Sequence, residues 1–214
     1  MHLCADRWTL EPLGHDIVAF RGALLCAEHA LLHRAPAVAE AVVLAWFEQV
    51  YRVGRLPQEL DAVLRASGEA SSLADQLLHL APQATVQDVA WGAASLPSVW
   101  GAELRAATLD PMFSGSACVG GADADWITNT TLWEAKTNAG HRPFGHVHLL
   151  QAFGYALLDG DDAFSLTHVG WYYARHQWRQ SFALDALTQR LARYCNVASL
   201  RVAFWQNAVE KEHV

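Results

Sequence analysis

The sequence predicts an α/β fold, with a mainly helical N-terminal part over residues 1–110 and a core over residues 111–214. Two observations support this division. Before residue 110, apolar residues recur at helical spacing, whereas beyond Pro111 short strand-like segments alternate with helical ones. Such alternation is typical of a small mixed β-sheet flanked by helices. We expect the N-terminal helices to pack on this core.

The N-terminal part contains several helical segments bounded by residues that start or stop helices. Pro36 follows the first segment, Ser72 is a candidate N-cap of another, and Pro97 separates the last two because proline interrupts a helix. The predicted helices cover residues 17–34, 37–52, 58–66, 72–80, 86–94 and 99–107.

Beyond Pro111 the pattern changes to short β-branched and aromatic segments with intervening turns. Asn129 lies in a tight turn between two of these segments, at a position where a positive φ is tolerated. The predicted strands cover residues 122–127, 131–137, 164–174 and 178–183, and the predicted helices cover residues 144–158 and 185–194.

Composition excludes several classes of protein. The 214 residues carry a net charge of −7, which argues against a broad basic surface for DNA or an anionic membrane. No apolar run approaches the roughly 18–20 residues that cross a bilayer, and the N-terminus lacks the pattern of a secretory signal. The four cysteines are widely spaced and form no metal-binding pair. We therefore expect a cytoplasmic protein without a membrane partner.

The predicted hairpin brings charged residues together. If Asn129 and Thr130 are the two turn residues, Asp125 lies opposite Glu134 and Asp123 lies opposite Lys136. Strand alternation then places all four charged side chains on one face of the sheet. Directly opposed carboxylates destabilise a sheet unless a cation compensates. Their oxygens are ligands that suit Mg²⁺ or Mn²⁺, and Lys136 supplies a neighbouring ammonium group.

The next predicted helix carries Gln151 and Tyr155, which are four residues apart and share one helical face. Asp125, the Glu134–Lys136 element and this Gln–Tyr pair, taken in order, resemble the PD-(D/E)XK nuclease superfamily, in particular its RecB-like branch with a QxxxY motif. The resemblance covers residues 113–175. Ala124 stands where the motif has proline.

The resemblance implies a restriction-endonuclease-like core and Mg²⁺-dependent (or Mn²⁺-dependent) hydrolysis of phosphodiester bonds in DNA. Asp125 and Glu134 would bind the metal with the Ala135 carbonyl, and Asp123 would be either an accessory ligand or a residue that supports the ligands. Lys136 would orient the attacking water and balance charge. Gln151 and Tyr155 would position the substrate or the lysine. The expected phosphate contacts are Arg142, Arg175 and Arg179.

Relatives of this kind commonly serve DNA repair, mobile elements or anti-phage defence, which implies DNA and a larger complex with a helicase, ATPase or defence protein as partners. RecB-like enzymes often add a carboxylate from an early helix, for which Glu28, Glu40 and Glu48 are candidates.

Three alternatives remain open from the sequence alone. The charged hairpin is a solvated face with a cross-strand ion pair, or the domain is a catalytically silent PD-(D/E)XK-fold module that binds a partner protein or nucleic acid, or the substrate is RNA. The net charge of −7 favours the silent module, because a nuclease usually gains affinity from a cationic surface.

Overall fold

The computed structural model describes residues 37–53, 57–66, 70–119, 121–137, 145–191 and 196–211. The described residues before residue 94 form one compact unit, and those from residue 94 onward form a second. Within these ranges, no helix is both long enough and apolar enough to cross a lipid bilayer. The predicted helix over residues 17–34 lies outside the described residues.

Three described helices of the first unit match the predicted ones closely: α1 (Val38–Val53), α2 (Gln58–Ala66) and α3 (Ala70–Leu80). Leu60 and Leu64 stand four residues apart on α2, so both side chains reach the buried core of this unit. On the exposed side of α2, Arg65 pairs with Asp61 at 2.8 Å. The other buried core residues are Val43, Phe47, Leu73 and Leu77.

Helix α4 (Gln83–Trp100) corrects the prediction of two helices separated by Pro97, since it runs through that proline. Proline removes only one backbone donor, and the turn that follows it buries Trp100 to 2% exposure. The helix ends instead at Gly101, whose φ of +54° favours glycine, and the Gly101 N–H donates to the Pro97 carbonyl. Residues Glu103–Ala106 then form a short 3₁₀ turn, not the predicted helix over residues 99–107.

The second unit contains a five-stranded mixed sheet, which confirms the predicted α/β class. The strands stand in chain order across the sheet, and every neighbouring pair is antiparallel except β3 and β4, which are parallel. The strands are β1 (Thr108–Leu109), β2 (Trp126–Thr128), β3 (Thr131–Lys136), β4 (His168–Tyr173) and β5 (Trp178–Ala183).

The β2–β3 hairpin has the predicted register. Trp126 pairs with Trp133, Ile127 pairs with Leu132, and Asn129 takes a positive φ of +52° in the turn. Strand β2 begins at Trp126, so Asp125 lies just before the paired residues. This end of the hairpin is where the candidate site lies.

Helix α5 (His146–Leu158) connects the parallel strands β3 and β4, as parallel pairing requires a crossover. Its Ala152, Phe153 and Ala156 belong to one buried cluster with Leu132 and Trp171 of the sheet. Helices α6 (Leu184–Leu191) and α7 (Val197–Lys211) complete the unit, and α7 was not predicted from the sequence.

The opposite face of the sheet carries aromatic residues. Trp126, Trp133 and Tyr172 surround Trp100, and the Trp100–Trp133 ring centroids are 4.7 Å apart in an edge-to-face arrangement. The Trp133 ring lies directly over Gly170, where a Cβ atom would approach it to 2.4 Å. This close approach requires glycine at position 170.

Candidate active site

Two acidic residues meet at the end of the sheet where the parallel strands β3 and β4 both finish. Asp125 is exposed, and its Oδ2 atom accepts a 2.6 Å hydrogen bond from the Ala135 N–H of β3. Glu134 precedes Ala135 and is buried, with 2% exposure. The backbone contact therefore fixes the Asp125 carboxylate beside β3, next to a buried carboxylate.

Glu134 forms an ion pair with Lys136, two residues further along the same face of β3. The Lys136 Nζ atom donates to Glu134 Oε2 at 2.9 Å, and the lysine side chain is only 16% exposed. Burial raises the pKa of Glu134, and repulsion from Asp125 adds to this effect, while the hydrogen bond and charge of Lys136 oppose it. Lys136 and a hydrogen bond from the Asp125 backbone thus both favour the ionised form of Glu134.

Lys136 also contacts helix α5. Its ammonium donates to Gln151 Oε1 at 3.0 Å, and the Gln151 Nε2 amide donates to the Tyr155 hydroxyl at 2.9 Å. Gln151 and Tyr155 stand one helical turn apart, so the crossover presents both to the same point. A continuous chain of polar contacts therefore links Glu134, Lys136, Gln151 and Tyr155.

Phe113, for which the sequence predicts no site role, contacts the end of this chain of polar contacts. Its ring stacks on the Tyr155 ring with centroids 6.4 Å apart and an interplanar angle of 23°. Phe113 is buried, so it holds the aromatic end of the polar chain against the core. The sequence around Phe113 does not indicate this contact, because Phe113 and Tyr155 are far apart in the sequence.

Asp123 differs from its predicted place opposite Lys136. It is exposed, and it forms an isolated antiparallel bridge with Met112. The β2–β3 ladder ends at the Trp126–Trp133 pair, so the predicted opposition of Asp123 and Lys136 is wrong. The chain before Trp126 turns toward the segment after β1 because that pairing satisfies its backbone groups instead.

The predicted phosphate-contacting arginines have different positions. Arg142 lies outside the described residues. Arg175 is exposed in the turn after β4, two residues beyond Tyr173, which is the ladder partner of Lys136. Arg179, by contrast, pairs with both Glu103 oxygens at 2.8 and 2.9 Å, and its guanidinium lies 4.4 Å from the centroid of Trp100 on the aromatic face.

Glu40 and Glu48 lie on α1 in the first unit, and Glu28 lies outside the described residues.

The donor atoms at this end of the sheet suit a hard divalent cation. Glu134 Oε1 is buried and has no hydrogen-bond partner within the described part of the chain, and the Asp125 carboxylate lies beside it. Among the described residues there is no group of three or more His, Cys, Asp or Glu side chains that would form a complete protein cage. Mg²⁺ is ordinarily held by one or two carboxylates together with waters and substrate phosphates, so two carboxylates are a sufficient set.

The geometry thus brings five of the predicted residues into one connected group, namely Asp125, Glu134, Lys136, Gln151 and Tyr155. Comparison of the chain with protein-family models, with curated proteins and with solved structures finds no match.

Proposed function

We propose that the protein is a metal-dependent nuclease that hydrolyses phosphodiester bonds of DNA. One observation carries this proposal: the Lys136 ammonium is held between a buried carboxylate, Glu134, and the Gln151 amide, next to the Asp125 carboxylate. Burying an ion pair contributes little stability, because desolvation offsets most of the Coulomb attraction. Such a pair is better explained by chemistry that needs fixed charge.

Each residue of the group would have a distinct task. Asp125 and Glu134 would hold Mg²⁺ (or Mn²⁺) together with the Ala135 carbonyl, and Glu134 Oε1 is the buried acceptor that lacks a partner among the described residues. The bound ion would polarise the scissile phosphate and lower the pKa of a water. Lys136 would donate to the attacking water and balance the negative charge that grows on the phosphate.

Helix α5 would act through Lys136. Gln151 accepts from the ammonium and is itself held by Tyr155, so the lysine keeps one orientation while the substrate binds. An ammonium suits this task because it is a compact donor with three rotatable hydrogen bonds, whereas a guanidinium is a planar fork.

The order of elements supports a restriction-endonuclease-like core of the PD-(D/E)XK type. A hairpin that carries the acidic residues and the lysine is followed by a crossover helix and by a strand parallel to the lysine strand. The Gln151–Tyr155 pair on that helix supports the RecB-like branch of the superfamily.

The second candidate function is a catalytically silent module that binds a partner protein or nucleic acid. The net charge of −7 favours it, since repulsion between an acidic protein and a polyanion weakens binding. The two functions differ in whether the carboxylates bind metal and in whether Lys136 affects a reaction.

Cleavage assays test the proposed reaction. Linear, circular and single-stranded DNA, with RNA in parallel, would be incubated with Mg²⁺ and wild-type protein, Lys136→Ala or Lys211→Ala. Lys211 is the only other lysine of the chain, so its variant is a matched control. We expect Lys136→Ala to cut about 10²–10³-fold more slowly and Lys211→Ala to match wild type. Equal rates for Lys136→Ala and wild type would contradict the role of Lys136, and preferential cleavage of RNA would replace DNA as the substrate.

Metal binding is tested separately by calorimetry. We expect Mn²⁺ to bind wild type and to bind Glu134→Gln more weakly, because the amide cannot supply a second anionic ligand. Absence of Mg²⁺ or Mn²⁺ binding at millimolar concentration would favour the silent module.

A further inference from the structure

Trp178 stands in the same row of the sheet as Lys136. Lys136 is paired with Tyr173 across β3 and β4, and Tyr173 is paired with Trp178 across β4 and β5. Directly paired residues project to the same face, so the tryptophan lies on the face that carries the polar chain. Two strand spacings separate it from Lys136, a distance of about 10 Å between the backbones.

The Trp178 ring is exposed although it is large and apolar. Its exposure is 46%, whereas Tyr173 beneath it is fully buried. The two ring centroids are 5.5 Å apart with an interplanar angle of 32°, so the buried tyrosine supports the exposed indole. A supported aromatic ring is a rigid surface that loses little conformational entropy when a flat ligand stacks on it.

The turn that precedes Trp178 is basic. Arg175 and His176 lie in the 3₁₀ turn between β4 and β5, and Gln177 closes that turn with a φ of +48°. An exposed aromatic ring next to basic side chains is the combination by which proteins bind single-stranded nucleic acid, through base stacking and phosphate contacts.

We propose that Trp178 stacks on an unpaired base of the substrate, so that the protein acts on single-stranded DNA or on frayed and overhanging ends. This inference rests on the proposed function for the position of the scissile phosphate. A base inside a duplex is already stacked on its neighbours and cannot reach the indole without leaving the helix.

Equilibrium binding of labelled oligothymidylate in EDTA tests the proposal without cleavage. The variants are Trp178→Ala, Trp178→Phe and Trp91→Ala, because Trp91 of α4 is 48% exposed and serves as a matched tryptophan control. We expect Trp178→Ala to bind roughly 5- to 150-fold more weakly, which is the factor that one stacked base contributes. Trp178→Phe retains most of the affinity, and Trp91→Ala equals wild type.

Two further measurements separate stacking from other effects. A blunt duplex of the same length is expected to bind wild type and Trp178→Ala equally, and both proteins are expected to show the same circular dichroism spectrum and oligomeric state. Equal oligothymidylate affinity for wild type and Trp178→Ala, or equal weakening by Trp91→Ala, would overturn the proposal. A change of oligomeric state with unchanged affinity would assign Trp178 to a protein interface instead.

The binding assay tests the stacking site and the cleavage assay tests the nuclease, so either proposal can be rejected without the other. Trp178-dependent binding without Mg²⁺-dependent cleavage would retain the stacking site and reject the nuclease. Lys136-dependent cleavage with no effect of Trp178→Ala on single strands would retain the nuclease and reject the stacking site.

Discussion

Successive residues of strand β3 project to opposite faces of the sheet, and the two faces carry different kinds of side chain. On one face, Trp133 packs against Trp100 and donates its indole N–H to Thr128 Oγ1 at 2.9 Å. On the other, Glu134 and Lys136 form a largely buried ion pair that continues into helix α5. The aromatic face therefore buries neutral rings, whereas the charged face buries ionisable groups beside the core.

This difference separates stability from function within one strand. Aromatic packing contributes both buried area and edge-to-face contacts. A buried carboxylate with one oxygen that has no partner among the described residues costs free energy instead. We therefore expect Trp133 to contribute to the stability of the domain, and Glu134 and Lys136 to contribute to what it does.

The largest expected effect on stability is on the aromatic face. Trp133→Ala removes a buried ring from the Trp100 cluster and leaves a cavity above Gly170, so we expect the free energy of unfolding to fall by about 3–5 kcal/mol. Urea unfolding measures this loss, with the exposed Trp91→Ala as the control. A loss no greater than that of Trp91→Ala would contradict the assignment of stability to this face.

Replacing both members of the ion pair on the charged face is not expected to reduce stability. The double variant Glu134→Leu/Lys136→Met replaces the ion pair by apolar groups of similar size, and we expect stability to stay unchanged or to rise by about 1–4 kcal/mol. Lys136→Met alone is expected to be less stable than the double variant, because it leaves the buried carboxylate without its cation.

Cleavage assays of the same variants test whether the charged face determines activity. The double variant is expected to lose all metal-dependent cleavage while it keeps its fold in circular dichroism. A marked loss of stability in the double variant would show that the ion pair stabilises the domain. It would contradict the expected difference between the two faces.

The smallest expected effect concerns a second buried carboxylate on the α5 side, away from the candidate site. Asp159 is fully buried, and its Oδ2 atom lies 3.5 Å from the guanidinium of Arg201 on α7. Burial raises the pKa of Asp159 above its ordinary value of 3.8, and the Arg201 charge opposes this effect. The folded chain therefore keeps a proton that the unfolded chain releases.

The sign of the pH dependence follows from this difference. As pH rises through 3.8, the unfolded state ionises first, so wild-type stability falls until the folded carboxyl also ionises. Asp159→Asn cannot titrate, so its stability relative to wild type is expected to increase with pH over this range. Parallel urea titrations across that range measure the difference, and identical slopes for the two proteins would contradict the predicted shift.

Local sequence patterns predicted the features of the fold that depend on neighbouring residues. The turn at Asn129 defined the hairpin register, because a two-residue turn leaves one way to pair its strands. The four-residue spacing of Gln151 and Tyr155 likewise defined a shared helical face, and both side chains join the polar chain. In each case the geometry follows from a few adjacent residues.

Features that depend on distant partners could not be predicted in this way. Pro97 does not end α4, since burial of Trp100 offsets the missing hydrogen bond. Asp123 pairs with Met112, and Arg179 pairs with Glu103. Both partners are distant in the sequence, so the pairings depend on how the chain folds and not on neighbouring residues. The presence of charged residues near a motif therefore does not predict which of them join the site.

The parallel pairing of β3 and β4 also affects when the site is completed during synthesis. The hairpin that carries Asp125 and Glu134 joins neighbouring residues, whereas the contact of Lys136 with Gln151 requires the crossover helix to dock and β4 to pair. Non-local pairing of this kind forms late in folding, and domains are synthesised from the N-terminus. We therefore expect the hairpin with its carboxylates to form before Gln151 orients Lys136, and the complete group to assemble only once the crossover helix has docked.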